Sequence, residues 1–300
     1  MDVITGASPK VVSIICPVRN MSGRLQMLEK WIDKLTEDPR AEVVVVHDFS
    51  EDATGDELKS ICEKNDSVIF IQGLYGNPGS ARNAGLEICT GNWVSFWDCD
   101  DEPNTHEFLA LIDKIEKVKP DISFGRFSVF NENSGVVIEA STWNSAKEKN
   151  LRVVARNPGI WRVVFSRNLL QGMAFKPLRM AEDQIFISEA IMKAGKVDFF
   201  DNLIYSYFIG SDRHLTKNPQ ALQDLLPAFN QTSQMIGIGP IELAPFLQMM
   251  AARQLISGLK FGTLRTRLGL IKSLSRSGLW LRPFFLKAIT SFIFTARRGI

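Results

Sequence analysis

The regular pattern opens at Val11–Cys16, a short apolar run rich in β-branched residues that stops at Pro17 and predicts a buried strand. Leu25, Leu28, Trp31, Ile32 and Leu35 then recur at three- and four-residue spacing. They predict an amphipathic helix, with Ser22 as its candidate cap. The alternation continues with strands at Val43–Val46, Val68–Ile71 and Trp93–Trp97 and helices at Thr54–Cys62, Ser80–Ile88 and Phe108–Val118. Ile122–Phe124 predicts a fifth strand. Strands alternating with amphipathic helices imply parallel β/α units, whose ligands bind beyond the carboxyl ends of the strands. After about residue 125 the alternation weakens. Phe127–Phe130 and Val136–Ile138 predict a hairpin, and Ile160–Leu170 reads as amphipathic. Glu182–Ala194 predicts a helix, and Val197–Phe200 and Leu203–Phe208 predict two short strands. From Pro219 onward the pattern is helical.

Length and charge refine this outline. The 300 residues suffice for one large domain, or for a domain with an appendage. The net charge of +2 is unremarkable, but its distribution is not: residues 243–300 hold ten Lys or Arg and no Asp or Glu. Two readings of this basic segment stand. In one, Leu281, Phe285, Ala288 and Phe292 form a helical face packed on the protein, with the basic residues solvated. In the other, the segment is an interfacial helix on anionic membrane. No recognised motif supports nucleic acid. The four cysteines form no C-x-x-C pair and, with three scattered histidines, no zinc spacing. A reduced, cytoplasmic setting is expected, peripheral on the inner face of the cell membrane under the second reading. The start of the chain lacks the basic, then apolar, signature of a signal peptide, and no apolar run reaches the roughly 18–20 residues of a spanning helix.

Candidate chemistry falls at predicted strand ends. Asp48 follows the second strand; it is either an Asx turn or an acceptor for base N–H and ribose hydroxyl donors. Asp98, Asp100 and Asp101 follow the fourth strand. Carboxylates crowded at an apolar strand end repel one another, and a hard divalent cation such as Mg²⁺ or Mn²⁺ removes that cost. Gly79-Ser80-Ala81-Arg82-Asn83-Ala84-Gly85 follows the third strand. Its helix start offers backbone N–H groups to an anion, and Arg82 adds charge-assisted hydrogen bonds to phosphate. Glu182-Asp183 opens a later helix, where acids complement the dipole or one acts as a general base. Neither G-x-G-x-x-G nor a P-loop motif occurs.

As an ordered set these features resemble family 2 of the inverting glycosyltransferases. They are Val12-Ser13-Ile14-Ile15-Cys16-Pro17-Val18-Arg19-Asn20, the Asp48 turn, Ser80–Gly85, Asp98-x-Asp100-Asp101 and Glu182-Asp183, together spanning about residues 11–210. The resemblance implies the GT-A fold, an α/β architecture with a Rossmann-like, mostly parallel central sheet flanked by helices. It implies a nucleotide-sugar donor, UDP- or GDP-linked, and transfer of a hexosyl or N-acetylhexosaminyl group to a glycan or lipid-linked acceptor in polysaccharide or glycolipid assembly. Pro17, Arg19, Asp48, Arg82, Asp98 and Glu182 are implied as nucleotide-sugar-binding residues. Asp100, Asp98 and His214 are implied around a Mn²⁺ or Mg²⁺ ion, and Asp183 as catalytic base. The chain departs from the family at His47, Phe49 and Arg19, changes that bear on base and sugar preference. The expected organisation is a catalytic domain over 1–218, with a nucleotide half at about 10–125 and an acceptor half at about 126–218, then a basic helical region over 219–300. The alternative is a catalytically silent GT-A scaffold that binds nucleotide or membrane.

Overall fold

Uninterrupted apolar runs become the central strands because both faces of those strands are covered. In the computed structural model, which describes residues 10–131, 134–139, 150–209 and 220–295, β1 (Val12–Val18), β2 (Ala41–Asp48) and β4 (Trp93–Phe96) are buried along almost their whole length. With β3 (Val68–Gly73) they form a parallel core in the order β3-β2-β1-β4. The intervening helices are α1 (Gln26–Thr36), α2 (Thr54–Cys62) and α3 (Pro78–Ile88). α1 buries Leu28, Trp31, Ile32 and Leu35, the stripe its spacing predicted. Strand order reverses beside β1, with β2 on one side and β4 on the other, which makes the carboxyl ends of β1 and β4 a topological switch point.

Beyond β4 the sheet becomes mixed. β5 (Glu102–Pro103) leads into α4 (Thr105–Val118), and β6 (Ile122–Asn131) forms the expected hairpin with β7 (Val136–Glu139). β8 (Val163–Ser166) lies antiparallel between β4 and β6, and β9 (Val197–Ile209) runs parallel to β6 and antiparallel to β5.

Four local expectations are corrected. Ile160–Leu170 is not one amphipathic element: a 3₁₀ turn (Ile160–Arg162), β8 and the short α6 (Arg167–Leu170) divide it, because buried Val163, Val164 and Phe165 fill the gap between two strands. Val197–Phe200 and Leu203–Phe208 are one strand, whose register against β6 shifts between Phe124 and Phe127. Ser22 does not cap α1; its hydroxyl donates to Glu57 Oε1 at 2.5 Å, and the helix starts at Gln26. Leu281 precedes the last helix and is 65% exposed, so it shares no packed face with buried Phe285 and Ala288.

The chain divides into two compact units that interleave along the sequence. The first comprises Met1–Thr142, Ile160–Ala174 and Ala194–Ile209 and carries the whole sheet. The second comprises Trp143–Gly159, Phe175–Lys193 and Gly210–Ile300. It is helical: α5 (Leu151–Arg156), α7 (Glu182–Lys193), α8 (Leu225–Ile238), α9 (Ala244–Phe261), α10 (Leu264–Ser277) and α11 (Pro283–Thr295). Its core gathers on α9, where Phe246, Leu247, Met250, Ala251, Ala252 and Leu255 are buried. Among the described residues no helix is long and apolar enough to cross a membrane.

Candidate active site

In the first unit the loops after β1, β2 and β3 are laced together by side chain to backbone hydrogen bonds. Asn20 adopts a left-handed conformation (φ 52°), which Asn tolerates because its short side chain bonds locally. Its N–H donates to Ser50 Oγ at 3.0 Å, and its Oδ1 accepts from the Glu51 N–H at 3.2 Å. The Met21 N–H donates to Thr54 Oγ1 at 2.7 Å. His47 is buried, with Nε2 2.9 Å from Ser50 Oγ and its ring stacked on Phe70.

Asp48 closes β2 and is buried. Its Oδ1 accepts from the backbone N–H groups of Tyr75 at 2.7 Å and Gly76 at 3.0 Å, and its Oδ2 accepts from Arg19 at 3.2 Å. The Asx-turn and ligand readings therefore separate by atom. Oδ1 organises the loop after β3, and an incoming base or ribose donor would share Oδ2 with the exposed Arg19. Pro17, half-buried, sits at the end of β1 two residues before it.

α3 begins with Asn77, whose side chain accepts from the Ser80 N–H at 2.8 Å, and with Pro78 in its first turn. That start places Arg82 in the second turn, buried, with Nη2 donating to Asp98 Oδ1 at 2.8 Å. A buried guanidinium needs such a charged partner. Arg82 and Asp98, chosen from separate motifs, thus meet.

The acidic turn treats its carboxylates differently. Asp98 is half-buried, Asp100 is exposed, and Asp101 is buried. Asp101 Oδ1 accepts from the Phe208 N–H at 2.8 Å, and Oδ2 accepts from the Tyr205 hydroxyl at 3.0 Å. The same Tyr205 oxygen accepts from the Asp98 N–H at 3.1 Å. Tyr205 is itself fully buried, stacked on Trp161 with ring centroids 4.6 Å apart. Burial, then the charges of Asp100 and Asp98, hold the Asp101 carboxyl well above the usual carboxylate range. Burial, then Asp101 and Asp98, likewise raise the Tyr205 phenol, so it remains a donor. Tyr205 was missed in the sequence, where it is only part of the apolar run Leu203–Phe208; nothing local marks it as a partner of residues 98 and 101.

Among the described residues no group of three or more His, Cys, Asp and Glu side chains converges as a closed metal site. Mg²⁺ or Mn²⁺ bound with a diphosphate does not need one: it takes one or two carboxylates and completes its shell with phosphate and water oxygens. Asp98 and Asp100 fit that donor set, whereas Asp101 is committed to Tyr205 and Phe208. The nearby thiols do not compete. Burial is the largest cause raising Cys16 and Cys99 well above the ordinary thiol value, with Asp98 and Asp100 adding to it, so neither offers a thiolate. His214 lies outside the described residues.

A cavity of about 950 Å³ on the α1 side of this unit, lined by Lys30, Trp31, Lys34, Asn104 and His106 among others, includes none of these strand-end residues.

The second unit presents Glu182 and Asp183 as the first two residues of α7, as expected. Ala181 before them has φ 65°, a left-handed conformation that costs a Cβ-bearing residue about 1–2 kcal/mol. Glu182 is buried and Asp183 half-buried, with Oδ1 accepting from the Gln184 N–H at 2.8 Å.

Comparison with known proteins matches residues 13–177 to the family described as Glycosyl transferase family 2. Glycosyltransferase GlyA of Streptococcus pneumoniae is 25% identical over 218 residues, covering 66% of this chain and 30% of GlyA. Poly(ribitol-phosphate) beta-glucosyltransferase of Bacillus spizizenii is 24% identical over 252 residues, covering 80% of this chain and 39% of the relative. The chain thus spans about a third of the length of these curated relatives. The crystal structure of S. aureus TarS 1–349 in complex with UDP-GlcNAc superposes with a TM-score of 0.69 at 21% identity, covering 93% of this chain and 81% of that one. At that identity the likeness is one of fold, and it bears out the GT-A architecture.

Proposed function

Because this chain belongs to glycosyl transferase family 2, we propose that it transfers a sugar from a nucleotide-diphosphate donor to an acceptor hydroxyl, with inversion at the anomeric carbon. The observation that carries this reading is the convergence of Arg82 on Asp98 at the switch-point end of the sheet, with the Arg19–Asp48 pair on the adjacent loops. A base or ribose is held at Asp48 Oδ2, with Pro17 and Arg19 lining the nucleotide. Asp98 and Asp100 hold Mg²⁺ or Mn²⁺, with His214 as a further ligand. The ion supplies charge neutralisation to the departing diphosphate. Arg82, already desolvated, adds a fixed positive charge to the same end without reorganisation. Asp183 takes the proton from the acceptor hydroxyl, and Glu182 contributes to donor binding. The donor is UDP-linked, as in the TarS complex, and the acceptor is a cell-surface glycan polymer, in keeping with the poly(ribitol-phosphate) relative. The reaction takes place on the cytoplasmic side.

The test is a panel of nucleotide sugars with Mn²⁺ or Mg²⁺, read by thermal shift and by donor hydrolysis. Asp183→Asn is expected to lower transfer by about 10²–10⁴-fold while the donor-induced shift persists. Full activity in that variant refutes the base. Asp100→Ala is expected to abolish metal-dependent donor binding, and binding that survives there refutes the metal role. Donor binding by the unmodified chain, with neither hydrolysis nor transfer, would mark a silent scaffold.

A further inference from the structure

We propose that the outward face of α10, with the Trp280-Leu281 turn that follows it, is a docking surface for an anionic lipid bilayer. Leu264, Leu268 and Ile271 fall at i, i+4 and i+7, on one face of the helix, and are 72%, 59% and 55% exposed. The opposite face is already satisfied. Thr266 and Leu270 are buried, and a Cβ at Gly258 of α9 would lie 2.3 Å from Leu270 Cδ1. The helix therefore carries apolar residues on two faces, only one of which the protein covers. Trp280 and Leu281, 50% and 65% exposed, extend the uncovered surface just past the end of α10. Isolated exposed hydrophobics are ordinary, but a stripe over successive turns is a binding surface.

Charge identifies the occupant. Arg265, Lys272 and Arg276 border the stripe, and no Asp or Glu follows Glu242. Arg267 differs: its guanidinium donates to the Gly262 and Lys260 carbonyls and secures the end of α9. Apolar side chains bordered by cations, on a segment that contains no acids, match an amphipathic helix lying in the interface of an acidic bilayer, with Trp280 at headgroup depth. A second copy of this chain fits less well, because a two-fold contact through this face would set cations against cations. The surface differs from the face expected on the last helix, where Phe285 and Ala288 are buried.

The experiment is flotation of the whole chain with vesicles of phosphatidylcholine containing about one third phosphatidylglycerol, against pure phosphatidylcholine vesicles. Binding is expected on the acidic vesicles and to weaken with salt. Two variants separate the contributions: the pair Leu268→Ser and Ile271→Ser, and the triple Arg265→Gln, Lys272→Gln and Arg276→Gln. Each is expected to bind acidic vesicles at least about tenfold more weakly, with an unchanged thermal melt because the side chains are exposed. Leu264→Ser, in the first turn, is an independent check. No binding by the unmodified chain, or variants that bind as it does, overturns the proposal. A dimer in light scattering that the serine variants dissociate also overturns it, in favour of a second copy.

Discussion

Replacing Tyr205 with Phe tests whether the acidic turn is held from behind. The ring should stay in place, because its stacking on Trp161 and its edge contact with Trp97, at 6.3 Å, do not involve the hydroxyl. What is lost is polar: the Asp98 N–H loses its acceptor and Asp101 Oδ2 loses its donor. Leaving one buried polar group unsatisfied costs about 1–3 kcal/mol, so the pair should cost about 2–6 kcal/mol. At roughly 2–4 °C per kcal/mol for a chain of this size, the melting temperature should fall by about 4–24 °C. Asp101→Asn should cost about 1–3 kcal/mol, because its amide supplies one acceptor oxygen where Tyr205 and the Phe208 N–H use two. In the Asp101→Asn background the further loss from Tyr205→Phe should shrink, and a double-mutant cycle reads that coupling. Donor affinity should fall with Tyr205→Phe even at temperatures where the protein is fully folded, since the Asp98 backbone is no longer fixed. A Tyr205→Phe protein within about 0.5 kcal/mol of the parent in denaturant titration, with unchanged donor affinity, would refute the reasoning.

Two further predictions concern packing and charge. A Cβ at Gly85 would stand 2.5 Å from Ile15 Cγ2 and 3.1 Å from Val46 Cγ2, so Gly85→Ala should destabilise by about 1–2 kcal/mol despite the better helix propensity of Ala; at Gly237, where nothing lies within 4 Å, the same change should stabilise by up to about 1 kcal/mol, both read by denaturant midpoint. Side-chain hydrogen bonds from Arg40 hold the Asp38 carboxyl below its usual range, so the stability it adds is present above the ordinary carboxylate pKa and lost as pH falls through the lowered value; Asp38→Asn should lower the melting temperature at neutral pH and flatten its decline in acid.

The parallel part of the sheet was legible because β1, β2 and β4 are buried on both faces and so read as continuous apolar runs. The later strands were harder for physical reasons. In β8 only Val163, Val164 and Phe165 are apolar in succession, and Trp161, Leu169 and Leu170 around them imitate helical spacing. What makes this segment a strand is the pair of neighbours β4 and β6, which local sequence does not contain. β9 was divided at Asp201-Asn202 because polar residues read as a break. Asn202 is in fact buried, donating to the Glu107 backbone carbonyl and to Glu107 Oε2 while its Oδ1 accepts from Lys114 at 2.7 Å. A buried asparagine satisfied by α4, next to an exposed aspartate, is thus compatible with a continuous strand.

The candidate site shows the same limit more sharply. Position alone marked residues 98–101, since carboxylates at the end of a buried strand need an explanation. Position alone left three carboxylates chemically equivalent. The fold makes them unequal through residues distant in sequence: Arg82 neutralises Asp98, Tyr205 and the Phe208 backbone take Asp101 into the interior, and Asp100 stays exposed to solvent. This division addresses a physical difficulty. The turn proposed to receive a cation and a diphosphate must also exist without them, when crowded carboxylates would repel one another. Pairing one, giving a second two hydrogen-bond donors, and solvating the third limits that repulsion. Asp98 and Asp100 then remain as the candidate ligands, and the Asp98 backbone is held by a tyrosine more than a hundred residues away.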